Sequence, residues 1–597
     1  MTIDLDNAQR AVAEAPADAR LVVTAGAGQG KTEVVAARLR YLAEEEELSS
    51  STELMVLSFS RAAVQAVRTR VEHYDLGETN VRTFDSFASY LLVENGIEPI
   101  GSFANRIRQA AKLLGDQSKD LDGLEEIRHV ILDEVQDLVG DRAEMVLALL
   151  SRLDDDAGFT ALGDPLQGIY DFTLEDSRSQ LSSSEFHNAL TNKYGALPLG
   201  LQRNYRAQGR FPKEVVGLGH SIRDLDDVTS ADRAMTQFEY TLPHSGEVAD
   251  WSFLVEEESG RTAVLCETNA EVLRVSRFLA AQGVQHVVRR PAQEFGAAPW
   301  IAEVFRGLTG PEVARTDVES VIESMLESIL RDRIPEDAWY LLKGAEGRSR
   351  SMYQLNLARI RSQIRSGAIP LTLTQPDSAK VIVSTVHRAK GLEFDRVYFV
   401  HPNYDHSDSA DWAEVRQRYV ALSRARDEVA VIDIPREWTW FKKVAGRQRE
   451  CKKSWKRNTY VAAMEVSSGD VLTDKPTPAE LVSGAGAQET LRGATPGMTL
   501  AGVFDPSMSD EDHPVFSIRT ERGDELGWTT RDFGTELVNL FGYRFTDGWD
   551  GAVLNGIRLV SVETAAGDPQ LTRDAGIGDS GLWLVPRVTG LVTPSND

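Results

Sequence analysis

An apolar run, Leu21-Val22-Val23, leads into Thr24-Ala25-Gly26-Ala27-Gly28-Gln29-Gly30-Lys31-Thr32, and a helix-like segment from Glu33 to Leu42 follows. Strand, glycine-rich loop and helix in that order make the opening of a parallel α/β unit. The loop dictates chemistry as well as topology. Backbone N–H groups over Ala27, Gly28, Gln29, Gly30, Lys31 and Thr32, reinforced by the helix N-terminus, form a cradle for a chain of phosphates. Lys31 is placed to meet the outer phosphates and the Thr32 hydroxyl to reach a magnesium ion. The predicted ligand is therefore a nucleoside triphosphate with Mg2+.

The rest of the chain extends the same pattern. Candidate strands at 21–24, 54–58, 129–133 and 159–163 form one group, and those at 262–267, 380–385, 396–401 and 428–434 a second. Helical patterns such as Ala62 to His73 and Ala143 to Leu153 fall between them, which predicts two parallel sheets covered by helices. Residues 300–366 read as a helical insertion that includes Arg331, Arg333, Arg348, Arg350, Arg359, Arg361 and Arg365. Residues 467–500 are rich in Gly, Ser, Thr, Ala and Pro and read as a loop-rich linker. Beyond them, Val515–Thr520, Gly556–Glu563 and Gly581–Val588 are strand-like, so the chain is expected to close on a small β-rich domain.

Composition narrows the function classes. A 597-residue chain is too long for one core. It has no apolar run near ~18 residues, so no membrane span is expected. Met1 to Arg10 lacks the apolar core of a signal peptide. Cys266 and Cys451 are the two cysteines, and neither sits in a CxxC pair; this predicts a cytoplasmic protein without zinc or iron–sulfur sites. The net charge of −26 argues against nucleic acid at first sight, yet residues 436–457 hold nine Lys/Arg against two Glu. Local fields, not the total, decide binding. That strip carries Trp438, Trp440, Phe441 and Trp455. It is either a nucleic-acid surface or a solvated helix with its tryptophans packed inward, and the arginines of the insertion carry the same two readings. From Val461 onward the balance reverses, with nine Lys/Arg against 21 Asp/Glu. Because the last lysine is Lys475, that segment cannot supply a D…ExK nuclease triad; it reads as a protein-docking module.

A second signature completes the nucleotide site. His129-Val130-Ile131-Leu132 is an apolar strand ending in Asp133-Glu134-Val135-Gln136-Asp137. Paired carboxylates at a strand end are where a phosphate-loop ATPase holds its metal and orients its water. Asp133 is assigned to the metal with Thr32, and Glu134 to the water.

With these motifs in place the chain resembles the superfamily 1A DNA helicases of the UvrD/PcrA/Rep type. The resemblance rests on Asn7-Ala8-Gln9, the phosphate loop, Val56 to Ala63, Thr83-Phe84-Asp85-Ser86-Phe87, Asp133 to Asp137 and Gly163 to Phe172. It continues in Leu201-Gln202-Arg203-Asn204-Tyr205-Arg206, Ser384 to Phe394 and Tyr419 to Ala425. It implies two RecA-like parallel-sheet motor lobes with a small helical insertion, plus the C-terminal β-rich domain. The implied limits are 1–195 for lobe 1, with a short insertion near 90–125, then 196–295 and 376–460 for lobe 2. The helical insertion takes 296–375, and linker and β domain 461–597.

The resemblance also implies ATP as the nucleotide and assigns roles. Gln9 reads adenine and Tyr205 stacks on it, Glu393 contacts the ribose, and Gln167 senses the γ-phosphate. Arg206 and Arg424 reach that phosphate from the second lobe, joining Lys31 and Glu134 as catalytic groups. Phe59, Arg61, Phe84, Tyr170, Phe172 and His387 are the implied DNA contacts, although Phe59, at the end of an apolar strand, fits a core role equally. Two positions depart from the family: Glu33 stands where an arginine usually flanks adenine, and Asp85 where a histidine is common. The insertions are small, which favours translocation over unaided strand separation. The implied activity is an ATP-driven, 3′ to 5′ translocase or helicase on single-stranded DNA or tailed duplex. The alternative is a DNA-stimulated ATPase switch that recruits a protein partner through the acidic C-terminal domain.

Overall fold

The computed structural model describes residues 5–59, 61–72, 74, 76, 79–98, 102–121, 123–171, 174, 177–248, 260–289, 296–325, 334–335, 337–347, 351–367, 369–374, 379–401, 411–434, 439–443, 449–454, 461–477 and 484–596. Two compact units form, residues 1–244 with 389–431, and residues 245–388 with 432–597.

The first unit is built on six strands: β1 (Arg20–Thr24), β2 (Leu54–Ser58), β3 (Val81–Thr83), β4 (His129–Asp133), β5 (Gly158–Gly163) and β6 (Leu197–Gly200). Their order is β3-β2-β4-β5-β1-β6, and each neighbouring pair runs parallel. β2, β4 and β5 are buried along their whole length, as expected of strands covered on both faces. Four of the six match apolar runs in the sequence. β3 has three residues, and β6 is largely exposed and contains Pro198, so neither announces itself as an apolar run. Because the strands are parallel, all their carboxyl ends lie on one edge, which is where ligands bind in such sheets. The loop after β1, Phe59 after β2, Asp133 at the end of β4 and the 164–167 turn after β5 all fall there.

His129, fully buried at the start of β4, has its ring nitrogens against the Ala17 carbonyl oxygen at 2.7 Å and Thr160 Oγ1 at 3.0 Å. Burial, aided by the charge of Arg38, depresses its pKa from 6.5 to about 3. The folded chain thus resists a proton that the unfolded chain accepts. The stabilisation is complete above pH 6.5 and is lost as pH falls toward about 3. Acidifying from pH 6.5 to about 5 should cost about 2 kcal/mol through this group alone. Urea unfolding at the two pH values should show that loss, and a His129→Gln variant should lack it.

In the second unit, Val381–Thr385 lies between Thr262–Cys266 and Val287–Val288, all parallel, giving the second α/β lobe. The insertion contributes helices Pro299–Phe305, Arg315–Met325, Ala338–Glu346 and Leu357–Arg365. The C-terminal domain is an antiparallel sheet of eight strands. At its centre, Ala552–Ala566 pairs with Leu582–Asn596. The sheet begins earlier than residue 461, because Thr439–Lys443 and Glu450–Ser454 form its first two strands. That places residues 439–443 and 450–454 of the basic strip in strands, which corrects the solvated-helix reading there; the side chains of its tryptophans and of Phe441 lie outside the described residues, as do Arg331, Arg333, Arg348 and Arg350.

Insertion and C-terminal sheet share one core. Trp300, Phe305 and Leu373 pack in the same cluster as Phe516, Leu554 and Leu584. Ala297 bridges to both Thr374 and Thr564, and Thr564 Oγ1 donates to the Ala298 carbonyl at 2.7 Å. The expected linker at 467–500 is corrected in part: it carries the helix Gly484–Gly493. Ala487 and Leu491 of that helix are buried, and the Gln488 amide exchanges hydrogen bonds with the Leu584 backbone at 2.7 and 2.9 Å. Small residues, which read as a linker, here allow a helix to lie close against a sheet.

Candidate nucleotide and nucleic-acid site

The phosphate loop turns with Gly28 and Gly30 at φ of 72° and 81°, a left-handed backbone that favours glycine. A side chain at Gly28 would also meet Arg206 Cβ at 2.5 Å, and one at Gly30 would meet Gln9 Nε2 at 2.6 Å. The loop is therefore packed directly against two of the residues assigned to the nucleotide. Gln9 Nε2 donates to the Gln29 carbonyl at 3.2 Å, and Asn204 Nδ2 to the Ala27 carbonyl at 2.8 Å. Tyr205, 46% exposed, donates from its hydroxyl to Asp6 Oδ2 at 2.8 Å and to Gln9 Oε1 at 3.3 Å. Gln9 and Tyr205 thus sit together beside the loop, one buried and one open to solvent. Gln29 is buried, with Oε1 on the Gly26 N–H and Nε2 3.3 Å from the Gln202 carbonyl. Glu33 faces away from this cluster, holding Tyr74 Oη at 3.1 Å and Arg70 Nε at 3.2 Å.

Lys31 Nζ lies 3.3 Å from Glu134 Oε1 and 3.4 Å from the Ala25 carbonyl oxygen. Glu134 has φ 57° and ψ 42°, a left-handed conformation that costs of order 1 kcal/mol for a non-glycine residue and persists where the surroundings enforce it. Burial pushes its carboxyl up, but Lys31 and Lys390, with hydrogen bonds from Gln136 and Lys31, outweigh that and hold it at about 2. It is ionised at neutral pH. Asp133, 3% exposed, shows the opposite balance: burial and the neighbouring Glu134 charge raise it to about 7. Ser58 Oγ donates to Asp133 Oδ2 at 3.1 Å, whereas Oδ1 is buried with no partner. A buried carboxylate oxygen without a donor is costly unless a cation satisfies it. Thr32, on the first turn of the helix Lys31–Glu44, supplies a hydroxyl one residue from Lys31. Both residues therefore fit a divalent metal, by the chemistry of their oxygens.

The sensor follows β5. Gln167 is buried; its Nε2 donates to Asp164 Oδ2 at 2.8 Å, and Arg424 Nη2 donates to its Oε1 at 2.9 Å. Arg424 also donates from Nε to the Val420 carbonyl at 3.1 Å. Burial, then the nearby Arg206 charge, lowers its pKa to about 10, so it stays charged. Arg206 pairs with Glu393, while its Nε and Nη1 are buried without partners. Glu393, assigned to the ribose, here holds this guanidinium. The two arginines do not stand in a unit apart from the loop: residues 389–431 belong with 1–244. The backbone explains this, since Gln208 and Gly209 N–H groups donate to the Arg426 carbonyl at 2.8 and 3.1 Å.

Arg223 enters the site from outside every motif, and four motif residues, Asp164, Tyr419, Lys390 and Asp137, gain partners that the sequence did not assign. Arg223 grips Asp164 bidentately at 2.7 and 2.9 Å and reaches Tyr419 Oη at 3.2 Å. Lys390 donates to Asp137 and to the Gln167 carbonyl. Asp137 is pushed up to about 6 by burial, against the pull of the Lys390 charge.

On the nucleic-acid side, Phe59 and Tyr170 stack with ring centroids 5.3 Å apart and planes at 22°. Lys390 lies 5.1 Å from the Tyr170 ring centroid. Both rings are half-buried. Phe84 is a correction: at 1% exposure it belongs to the hydrophobic core with Phe87, Ala88, Leu91 and Leu92. That i, i+3, i+4, i+7, i+8 spacing is the core face of the helix Phe84–Glu94, and it was the signal available. His387 is half-buried on the short helix Val386–Ala389, in the second unit's segment. Phe172 and the Arg61 side chain lie outside the described residues.

Comparison with known proteins places this geometry. Residues 5–108 match the UvrD/REP helicase N-terminal domain, and residues 380–432 the UvrD-like helicase C-terminal domain. These matches make the chain similar to DNA helicases. More closely, it resembles the UvrD-like type at both the N-terminal and the C-terminal helicase domain, in keeping with the superfamily 1A resemblance. A probable DNA helicase from Mycoplasma pneumoniae is 22% identical over 456 residues, covering 69% of this chain and 80% of that protein. The crystal structure of Pif1 helicase from Candida albicans aligns with a TM-score of 0.36 and 14% identity, over 72% of this chain and 95% of that one.

Proposed function

We propose that the chain is an ATP-dependent translocase and helicase that moves 3′ to 5′ on single-stranded DNA, loading on strands or tailed duplexes. One observation carries the coupling: Lys390 touches the Tyr170 ring, Asp137 and the Gln167 carbonyl, and Gln167 in turn holds Arg424. The groups assigned to the γ-phosphate and the rings assigned to bases are thus bonded into one assembly. The 3′ to 5′ polarity rests on the UvrD-like domains.

Hydrolysis requires water to attack the γ-phosphorus while the bond to the β,γ-bridging oxygen breaks, releasing ADP and phosphate. Glu134, held ionised by its lysine neighbours, orients and polarises the water, and the proton leaves with phosphate. Lys31 must exchange Glu134 for the outer phosphates when nucleotide enters, which frees that carboxylate for water. Arg206 brings two unbonded buried donors to the site, suited to the spread charge of a phosphoryl group in flight. Arg424 would trade Gln167 for the same charge. Mg2+, when held by Thr32 and Asp133, neutralises charge on the phosphate oxygens.

The test compares ATP hydrolysis with single-stranded DNA, duplex and RNA, and displacement of streptavidin from either end of an oligonucleotide. Stimulation by single-stranded DNA with stripping from the 5′ end alone is expected of 3′ to 5′ movement. Stimulation without displacement from either end would favour the recruiting switch.

A further inference from the structure

Beneath the stacked rings, Asp85 stands where the related helicases commonly have histidine, which on sequence alone reads as a lost nucleic-acid contact. The structure gives Asp85 another task. Arg142 donates to it from Nε at 3.3 Å and from Nη2 at 3.0 and 3.3 Å. That fork fixes the guanidinium 5.6 Å from the Phe59 ring centroid. Four side chains then lie in series: Arg142 over Phe59, Phe59 on Tyr170, and Lys390 by Tyr170.

Arg142 sits in the first turn of the helix Gly140–Leu150, where the helix dipole disfavours a cation. The bidentate pair with Asp85 offsets that cost and also spends the directional freedom of the side chain. What remains is telling. Arg142 is 32% exposed, and its Nη1 makes no hydrogen bond among the described residues. A guanidinium pre-set by a carboxylate, lying on an aromatic ring and keeping a donor toward solvent, is built to receive a phosphodiester or the face of a base.

We infer that Arg142 is a contact for single-stranded nucleic acid, capping the outer end of the Phe59–Tyr170 stack, with Asp85 as its positioning residue. This rests on the proposed nucleic-acid reading of that stack.

The probe is a fluorescent oligothymidylate, with binding to the full chain followed by anisotropy over a series of salt concentrations. Arg142→Gln should weaken binding about three- to tenfold and flatten the plot of log affinity against log salt by about 0.7. Arg142→Lys keeps a charge but loses the fork; it should hold the wild-type slope while losing about threefold in affinity. Wild-type affinity and slope in Arg142→Gln, with an unchanged thermal midpoint, would overturn the inference. Should Arg142→Gln not fold, Arg142→Lys decides, since undiminished affinity there is equally fatal. A wild-type chain that does not bind the oligonucleotide would instead sink the underlying nucleic-acid reading.

Discussion

Lys31→Ala is expected to abolish nucleotide turnover, by about 10³-fold or more. The reason is local. Lys31 lies 3.3 Å from Glu134, and with nucleotide it would be the loop's single side-chain cation toward the phosphates. Removing it takes away phosphate charge compensation and leaves Glu134 to the more distant charges of Lys390 and Arg424. Steady-state phosphate release, with and without single-stranded DNA, measures the effect. Turnover within tenfold of wild type would refute the assignment of this loop.

Arg424→Ala should be almost as damaging, with a fall in turnover of about 10³–10⁵, the range that a transition-state arginine supplies in phosphoryl transfer. Unlike Lys31, Arg424 need not bind the ground state. Its donors are committed to Gln167 Oε1 and the Val420 carbonyl, and on the proposed reading they would turn to the phosphate as charge develops. Affinity for a labelled nucleotide should consequently change little while the rate of hydrolysis collapses. Equal losses in both, with the fold intact, would mean that Arg424 is a binding residue only.

The parts legible in the sequence are those in which one short segment carries its own signal. The apolar run of β4 ending in Asp133 and Glu134 is of that kind, as is the loop from Gly26 to Thr32. What the sequence could not disclose is partnership across the chain. Arg223 ends the helix Arg210–Arg223, a place that suits any cation, and only folding brings it to Asp164. Glu393 is separated by nearly the length of two domains from Arg206, yet the two form a pair. Asp85 fits the same account: judged alone it is a missing contact, and judged with Arg142 it is a support. Phe84 failed for a different reason. Its helical spacing marked a core face, but the motif around it drew attention to the ligand side. The C-terminal strands were found in part, because long strands such as Ala552–Ala566 contain glycine and polar residues that break the apolar run.

The way Trp300 and Phe305 are enclosed by the terminal sheet has a bearing on inheritance. Neither segment presents a finished surface without the other, so recombination could not graft the helical insertion into a sister motor, or delete the tail from this one, and leave a soluble remainder. The pair must travel through descent as a single unit, although residues 376–438 divide them.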